Sequence, residues 1–172
     1  MQIFLWGFMG VGKTSVGKKL AQHLNVDFID LDQKIEMEEG QTIAQIFSAK
    51  GEAYFREVEH QNLIQIIHSN EAGVISVGGG TPCFADNALR MNAAGLTIYF
   101  SSTAKELTQR LLPRKVHRPL LKNIPDEDLL PFVTQKLNER MPYYLLAKEK
   151  VNADQSKSEL LHELIEIIKS KK

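Results

Sequence analysis

Lys13 and Thr14 close the stretch Gly7-Phe8-Met9-Gly10-Val11-Gly12-Lys13-Thr14, in which one glycine is followed by four residues and then Gly-Lys-Thr. That spacing is the Walker A phosphate loop. Its chemistry follows from residue type. Glycines let the backbone curl so that several N–H groups face one phosphate. A helix starting at the end of the loop adds its positive terminus. The lysine amine reaches the outer phosphates, and the threonine hydroxyl can ligate Mg²⁺. A chance match in a glycine-rich turn arises in roughly one chain in a hundred of this length, so the flanking elements decide. The apolar run Ile3-Phe4-Leu5-Trp6 before the loop has strand length. Val16, Leu20, Ala21 and Leu24 after it recur at helical spacing, with Lys18, Lys19 and Gln22 polar. Strand, loop and helix are the context the motif requires.

Two carboxylates are next. Val26-Asp27-Phe28-Ile29-Asp30 reads as a second strand ending in Asp30, with Asp32 two residues on and a helical pattern through Ile35 and Met37 to Gly40. In an open parallel sheet ligands gather at the carboxyl ends of the strands. Both acids would then face the crevice of the glycine loop, and a two-residue alternation would point them the same way. The plainer alternative is that Asp32 caps a helix from Gln33 and Asp30 is solvated.

Arg56 and Glu59, three apart on a helix, share a face. Such a pair is usually a surface ion pair of little consequence; it can also be an arginine held ready for an anionic substrate. Gly78-Gly79-Gly80 follows the apolar strand Val74-Ile75-Ser76-Val77. Three glycines are costly to order, and they suit a place where a ligand approaches the backbone. The segment from Arg110 through Pro113-Arg114-Lys115-Val116-His117-Arg118-Pro119-Leu120 is basic, proline-punctuated and aperiodic. It suits a lid that closes arginines over phosphates. His117 reads as incidental, because phosphoryl transfer rarely needs a histidine.

The remaining elements must hold these groups in place. A helix starts near Gln41 or Thr42, and a longer one follows Gly51 with Val58, Leu63, Ile66 and Ile67 as an imperfect apolar stripe. Residues 96–100 form a fourth strand, and a helix runs from Ser102 or Thr103 to Leu112. Residues 126–147 read as a helix kinked near Pro142, residues 150–152 as a weak strand, and residues 158–169 as an amphipathic helix packing on the sheet. No repeat or linker divides the chain, so residues 1–172 are expected to be one α/β domain.

Lys+Arg and Asp+Glu both number 21, giving zero net charge. That argues against non-specific binding to nucleic acid or anionic membranes. The single cysteine, Cys83, forms no intramolecular disulfide or zinc cluster. No apolar run has membrane-spanning length. A first strand beginning near Gln2 leaves no room for a targeting peptide. A cytoplasmic monomer is expected.

Taken in order, these stretches resemble the shikimate kinase family. The resemblance rests on the phosphate loop, Asp30-Leu31-Asp32 with Ile35-Glu36, Phe55-Arg56-Glu57-Val58-Glu59, Gly78-Gly79-Gly80, Arg118-Pro119-Leu120-Leu121, and Arg140 four residues before Tyr144. Together these stretches span nearly the whole chain and imply the fold of the nucleoside monophosphate kinases: a three-layer α/β/α sandwich whose five-stranded parallel sheet has the order 2-3-1-4-5, with a mobile lid at about residues 111–124 and a shikimate-binding helical region at about residues 32–60. The implied reaction is Mg²⁺-assisted phosphorylation of the 3-hydroxyl of shikimate by ATP, a step of aromatic amino-acid biosynthesis.

The resemblance implies these roles. Gly10, Val11, Gly12, Lys13, Thr14 and Ser15 cradle the ATP phosphates. Thr14 and Asp30 hold Mg²⁺, and the Thr14-Ser15 order replaces a commoner Ser-Thr. Asp32 binds ring hydroxyls and takes the proton from the attacking one. Arg56 and Arg140 clamp the shikimate carboxylate, Glu59 orients Arg56, and Phe55 and Gly78, Gly79 and Gly80 complete the substrate site. Arg118 closes from the lid onto the transferring phosphate. Arg110 and Gln155 are the adenine-side candidates. Lys13, Asp32 and Arg118 are the catalytic set. Gluconate kinase would share the loop without reason for the two-arginine clamp with Asp32. Adenylate kinase would show an Asp-Gly-x-Pro-Arg type stretch, and a GTP-dependent switch an Asn-Lys-x-Asp motif; neither is present. An inactive relative serving as a binding module is disfavoured because every key position carries a competent residue.

Overall fold

β1 (Gln2–Trp6) is buried along its whole length, as the central strand of a sheet covered on both faces must be. In the computed structural model, which describes residues 1–118 and 120–171, it lies between β3 (Gly73–Ser76) and β4 (Gly95–Ser101). β2 (Asp27–Asp30) and β5 (Glu149–Asn152) form the edges, giving the order β2-β3-β1-β4-β5 with every pairing parallel. The register sets Asp30 opposite Ser76 and Leu5 opposite Ser76 on its other side. Asp30, the phosphate loop and the triple-glycine turn therefore all leave the sheet at its carboxyl edge, where the chain order places a ligand crevice.

Helices cover both faces. One core gathers α1 (Lys13–Leu24), α5 (Ala104–Leu111), α6 (Asp126–Tyr144) and α7 (Lys157–Lys169) over residues such as Leu5, Leu20, Ile98, Leu107, Leu137 and Leu164. The other gathers α2 (Leu31–Glu39), α3 (Ile43–Ser69) and α4 (Asn87–Ala94) over Phe4, Trp6, Ile35, Leu63 and Met91. Trp6 Nε1 donates to Met91 Sδ at 3.2 Å, so the large ring is both buried and hydrogen-bonded.

Local chemistry explains most boundaries. Thr42 and Ser156 each form a capping box, with Gln45 and Glu159 respectively. Thr103 caps α5 through the Glu106 N–H. The two helices expected on either side of Gly51 run as one span, broken where Gly51 takes φ 83°. The apolar stripe of its second half is imperfect because its buried face includes Glu59 and Asn62. α4 is not anticipated by the sequence pattern; Asp86 precedes it but makes no side-chain cap. α6 ends at Tyr144, earlier than residue 147, with both Pro131 and Pro142 inside it.

The basic segment is more regular than its aperiodic sequence implies. Leu112–His117 forms a 3₁₀ helix, and the Leu121 and Lys122 N–H groups then return to the Arg118 carbonyl at 3.0 Å. Pro119 of the expected lid and the side chain of His117 lie outside the described residues. No helix among the described residues is long and apolar enough to cross a membrane.

Candidate active site

The turn between β1 and α1 depends on backbone that only glycine adopts without strain. Gly12, the residue preceding α1, has φ 106°. Gly10 has φ 80°, and a methyl group built on it would come within 2.9 Å of Leu111 Cδ2. The loop wraps around the Lys13 amine, which donates to the carbonyls of Gly7 at 2.7 Å and Phe8 at 3.2 Å. Burial lowers the Lys13 amine from 10.5 to about 8; Asp32 and Asp30 pull it back up, while Arg118 and Arg140 push it further down.

Thr14 Oγ1 donates to Asp30 Oδ2 at 2.8 Å. A hydroxyl beside a carboxylate suits a hard cation such as Mg²⁺, which keeps waters and phosphate oxygens as its other ligands. Among the described residues no group of three His, Cys, Asp or Glu side chains is arranged to hold a metal by itself. The donor set therefore fits Mg²⁺ brought with a nucleotide.

The structure corrects the capping alternative for the acids. Asp30, not Asp32, is the N-cap of α2, accepting from the Gln33 N–H at 3.4 Å. Asp32 lies in the first helical turn. The two acids converge because α2 starts directly where β2 stops, and not because they alternate along a strand. Burial, then the negative charges of Glu59 and Asp30, raise the Asp32 carboxyl from 3.8 to about 7, against the opposing pull of Lys13 and Arg56. A carboxyl poised there can take a proton near neutral pH.

Arg56 and Glu59 are no surface pair. Glu59 is 0% exposed and accepts from Arg56 Nη1 at 2.7 Å. Phe55 is buried among the β-sheet core and lies under the Arg56 guanidinium at 5.2 Å. The triple-glycine turn packs directly on these groups. A methyl on Gly78 would sit 2.5 Å from Glu59 Oε1 and 3.4 Å from Asp32 Oδ1; one on Gly80, 2.5 Å from Arg56 Nη2; one on Gly79, 3.0 Å from Arg140 Nη1. Arg140 reaches this turn from α6, with its guanidinium 5.0 Å from the Phe8 ring centre. Its Nη1 is buried and has no hydrogen-bond partner among the described residues. An unpaired guanidinium nitrogen withdrawn from water is costly, and an incoming carboxylate would satisfy it.

A cavity of about 980 Å³ unites the nucleotide side of the site. Its walls include Gly10, Val11, Gly12, Lys13, Thr14, Ser15, Asp30, Asp32, Gly78, Gly79, Arg110, Arg118 and Gln155. Phe55, Arg56, Glu59, Gly80 and Arg140 do not line it; the glycine turn joins them to it. Arg118 is half-buried in the field of Asp32, and burial lowers its guanidinium from the usual value. It still carries its charge.

Two contacts escape the sequence pattern. The Tyr144 hydroxyl donates to the Gly79 carbonyl at 2.6 Å while its ring stacks on Tyr99 at 5.0 Å. A trans peptide points its N–H opposite to its carbonyl, so this bond fixes the direction of the Gly80 N–H. Asp154 accepts from Arg110 Nη2 at 3.3 Å and from the Thr103 N–H at 3.2 Å, and Arg110 also donates to the carbonyls of Ala153 and Val11. Arg110 is thus tied across the mouth of the phosphate loop. The one signal available for Asp154 was an acid two residues after the last strand. Gln155, beside it, donates its amide to Glu163.

Known proteins match this chain along nearly all its length. The family model "Shikimate kinase" matches residues 9–169. A shikimate kinase of Bacteroides fragilis is 44% identical over 154 residues, covering 90% of this chain and 86% of the relative. The crystal structure of shikimate kinase from Bacteroides thetaiotaomicron superposes with a TM-score of 0.92 at 39% identity, covering 98% of each chain. Shikimate kinase from Acinetobacter baumannii, solved in complex with shikimate, gives a TM-score of 0.91 at 33% identity, covering 99% of this chain and 94% of that one.

Proposed function

The chain belongs to the shikimate kinase family, and we propose that Lys13, Asp32 and Arg118 carry the transfer while Arg56 and Arg140 hold the acceptor. The family reaction is ATP-dependent phosphorylation of the 3-hydroxyl of shikimate, giving shikimate 3-phosphate and ADP in aromatic amino-acid biosynthesis. The observation that carries the acceptor assignment is the buried Arg140 Nη1, without a hydrogen-bond partner among the described residues, beside the same glycine turn that receives Arg56. Two guanidinium groups meeting at one backbone turn favour a carboxylate, and a second anchor on ring hydroxyls follows from Asp32.

In the reaction, Asp32 accepts the proton of the 3-hydroxyl as its oxygen bonds to the γ-phosphorus and the bond to the β–γ bridging oxygen breaks. The amides of Gly10, Val11, Gly12, Lys13 and Thr14 hold the phosphates, with Ser15 and Gln155 at the edge of the nucleotide site and Arg110 on the adenine side. Lys13 and Arg118 neutralise charge on the oxygens of the transferring group, which is where such sites exert most of their effect. Thr14 and Asp30 would hold Mg²⁺, which would supply charge neutralisation at the phosphates. Glu59 orients Arg56, Phe55 supports its guanidinium, and Gly78, Gly79 and Gly80 offer backbone to the substrate. We assign residues 1–172 to one domain, with a lid at about residues 111–124 and an acceptor region at about residues 32–60. The enzyme is taken as a cytoplasmic monomer.

Release of ADP, measured with shikimate, gluconate and AMP as separate acceptors and with Mg²⁺ present or chelated, tests this reading. Turnover with shikimate and Mg²⁺ only is expected; turnover with gluconate or AMP instead would overturn the acceptor site. Arg56→Lys is expected to raise KM for shikimate about tenfold or more while KM for ATP moves less than about twofold, because a lysine cannot make the paired bonds of a guanidinium. Equal effects on both constants would count against the clamp. Arg114 is exposed, so trypsin should cut there in the free enzyme. Addition of shikimate with a non-hydrolysable ATP analogue should slow that cut several-fold, and an unchanged rate would remove the lid from the mechanism.

A further inference from the structure

We propose that Thr81 is a positioning residue for the substrate clamp: its hydroxyl locks the buried Glu59 carboxylate that aims Arg56, and ties that pair to the triple-glycine turn. The inference rests on the reading of Arg56 as a carboxylate ligand and concerns what holds it.

Glu59 has two carboxylate oxygens and is 0% exposed. Oε2 accepts from Arg56 Nη1 at 2.7 Å, and Oε1 accepts from Thr81 Oγ1 at 2.6 Å. With both oxygens held, the carboxylate plane is fixed, and the planar guanidinium that pairs with it takes its bearing from that plane. The other partner of Arg56 is the exposed Glu52, at 3.3 Å, a contact too solvated to set an orientation. The aim of Arg56 therefore depends on Glu59, and that of Glu59 on Thr81.

Thr81 is itself immobilised. It is 0% exposed. Its N–H donates to the Gly78 carbonyl at 3.1 Å, and its carbonyl accepts from Asn87 Nδ2 at 2.9 Å. Asn87, also 0% exposed, is fixed in turn by His60 Nδ1 at 2.6 Å from its Oδ1. The chain of bonds runs from α3 through α4 to the turn and back to α3. Its physical consequence is that Gly78, Gly79 and Gly80, which have no side chains to anchor them, are registered against Arg56 through the first residue after them.

The test compares Thr81→Val, which keeps the shape and removes the donor, with Thr81→Ser, which restores the donor without the methyl group. Steady-state KM and kcat are measured for each substrate, with thermal unfolding in parallel. Thr81→Val is expected to raise KM for shikimate about tenfold to a hundredfold, the range for one hydrogen bond to a buried charged group, with KM for ATP within about twofold of the parent. Thr81→Ser should recover KM for shikimate to within about threefold. A Thr81→Val enzyme with lowered Tm but unchanged KM for shikimate, or with both KM values raised alike, would overturn the proposal and leave Thr81 a packing residue. Should Thr81→Val fail to fold, Thr81→Ala, which also lacks the donor and adds no bulk, decides by the same split. Arg56→Ala is run beside them. If it leaves KM for shikimate unchanged, the clamp reading has failed; if it raises KM while Thr81→Val does not, only the positioning role has failed.

Discussion

Lys13→Met is expected to lower kcat by about a hundredfold to a thousandfold, the loss typical for one preorganised donor at a site of developing charge, while the dissociation constant for shikimate stays within about threefold. The amine is held by the Gly7 and Phe8 carbonyls inside its own loop. It is thus in place before nucleotide arrives, with no side-chain ordering left to do at the moment of transfer. Burial holds it near 8, so at neutral pH it is charged but poorly solvated, a state an anionic phosphate relieves. Methionine keeps the unbranched chain and removes only the charge and the donors. Arg56, Arg140 and Asp32, the proposed shikimate ligands, make no hydrogen bond to Lys13, which bonds instead to the Gly7 and Phe8 carbonyls, so the two readouts should separate. Initial-rate kinetics with calorimetric titration of shikimate check this. Near-normal kcat would remove Lys13 from the chemistry, and a parallel loss of shikimate affinity would mean that the substitution had deformed the crevice.

The phosphate loop was legible because everything it needs is local. A buried strand, three glycines in strained backbone and a helix start lie within twenty residues of one another, and each has its own residue preference. The sheet order followed from the resemblance, and the apolar run Ile3-Phe4-Leu5-Trp6 gave a strand before the phosphate loop, which is buried throughout. The helix cap was misplaced by two residues because Asp30 and Asp32 are equally good cap residues by type; the difference lies in where β2 stops. α4 was not seen because Asp86 makes no side-chain cap and an eight-residue helix completes barely two turns. The burial of Glu59 could not be read from its spacing to Arg56, since an exposed pair and a buried one look alike in sequence. Thr81, Tyr144 and Asp154 act through partners 22, 65 and 44 residues away. No local pattern encodes such contacts, so Glu59, three residues from Arg56, could be named from sequence as its positioning partner, whereas Thr81, Tyr144 and Asp154 could not.

Asp32→Asn should lower kcat by about a hundredfold to ten-thousandfold, the range for losing a general base, and in the same protein raise stability in a pH-dependent way. The activity side follows from a carboxyl raised to about 7. With both substrates below saturation, the rate of the parent enzyme should fall on the acid side through about pH 7 as Asp32 becomes protonated, and on the alkaline side through about pH 8 as Lys13 loses its charge. The two groups interact, so both limbs belong to the pair. Bound ATP adds negative charge beside Lys13 and should move the alkaline limb of kcat upward. The acid limb should vanish in Asp32→Asn. The stability side has the opposite sign. The folded protein binds the Asp32 proton more tightly than the unfolded chain, in which the carboxyl titrates near 3.8. The stabilisation from that proton is full below about pH 4 and is lost as pH rises through about 7. Above that, the ionised carboxylate costs the fold up to about 4 kcal/mol, less the attraction to Lys13 and Arg56 that asparagine also forgoes. Thermal unfolding should therefore show the two proteins close at pH 4 and Asp32→Asn ahead at pH 8 by about 5–10 °C. A constant gap across that range would mean that Asp32 is not buried with its proton in the free enzyme. A less stable variant at pH 8 would mean that its bonds to neighbouring cations outweigh its burial. The expected result ties one carboxylate to both measurements: the position that makes it a base at neutral pH is the position that makes it a burden to the fold, and only an acceptor hydroxyl gives that position a use.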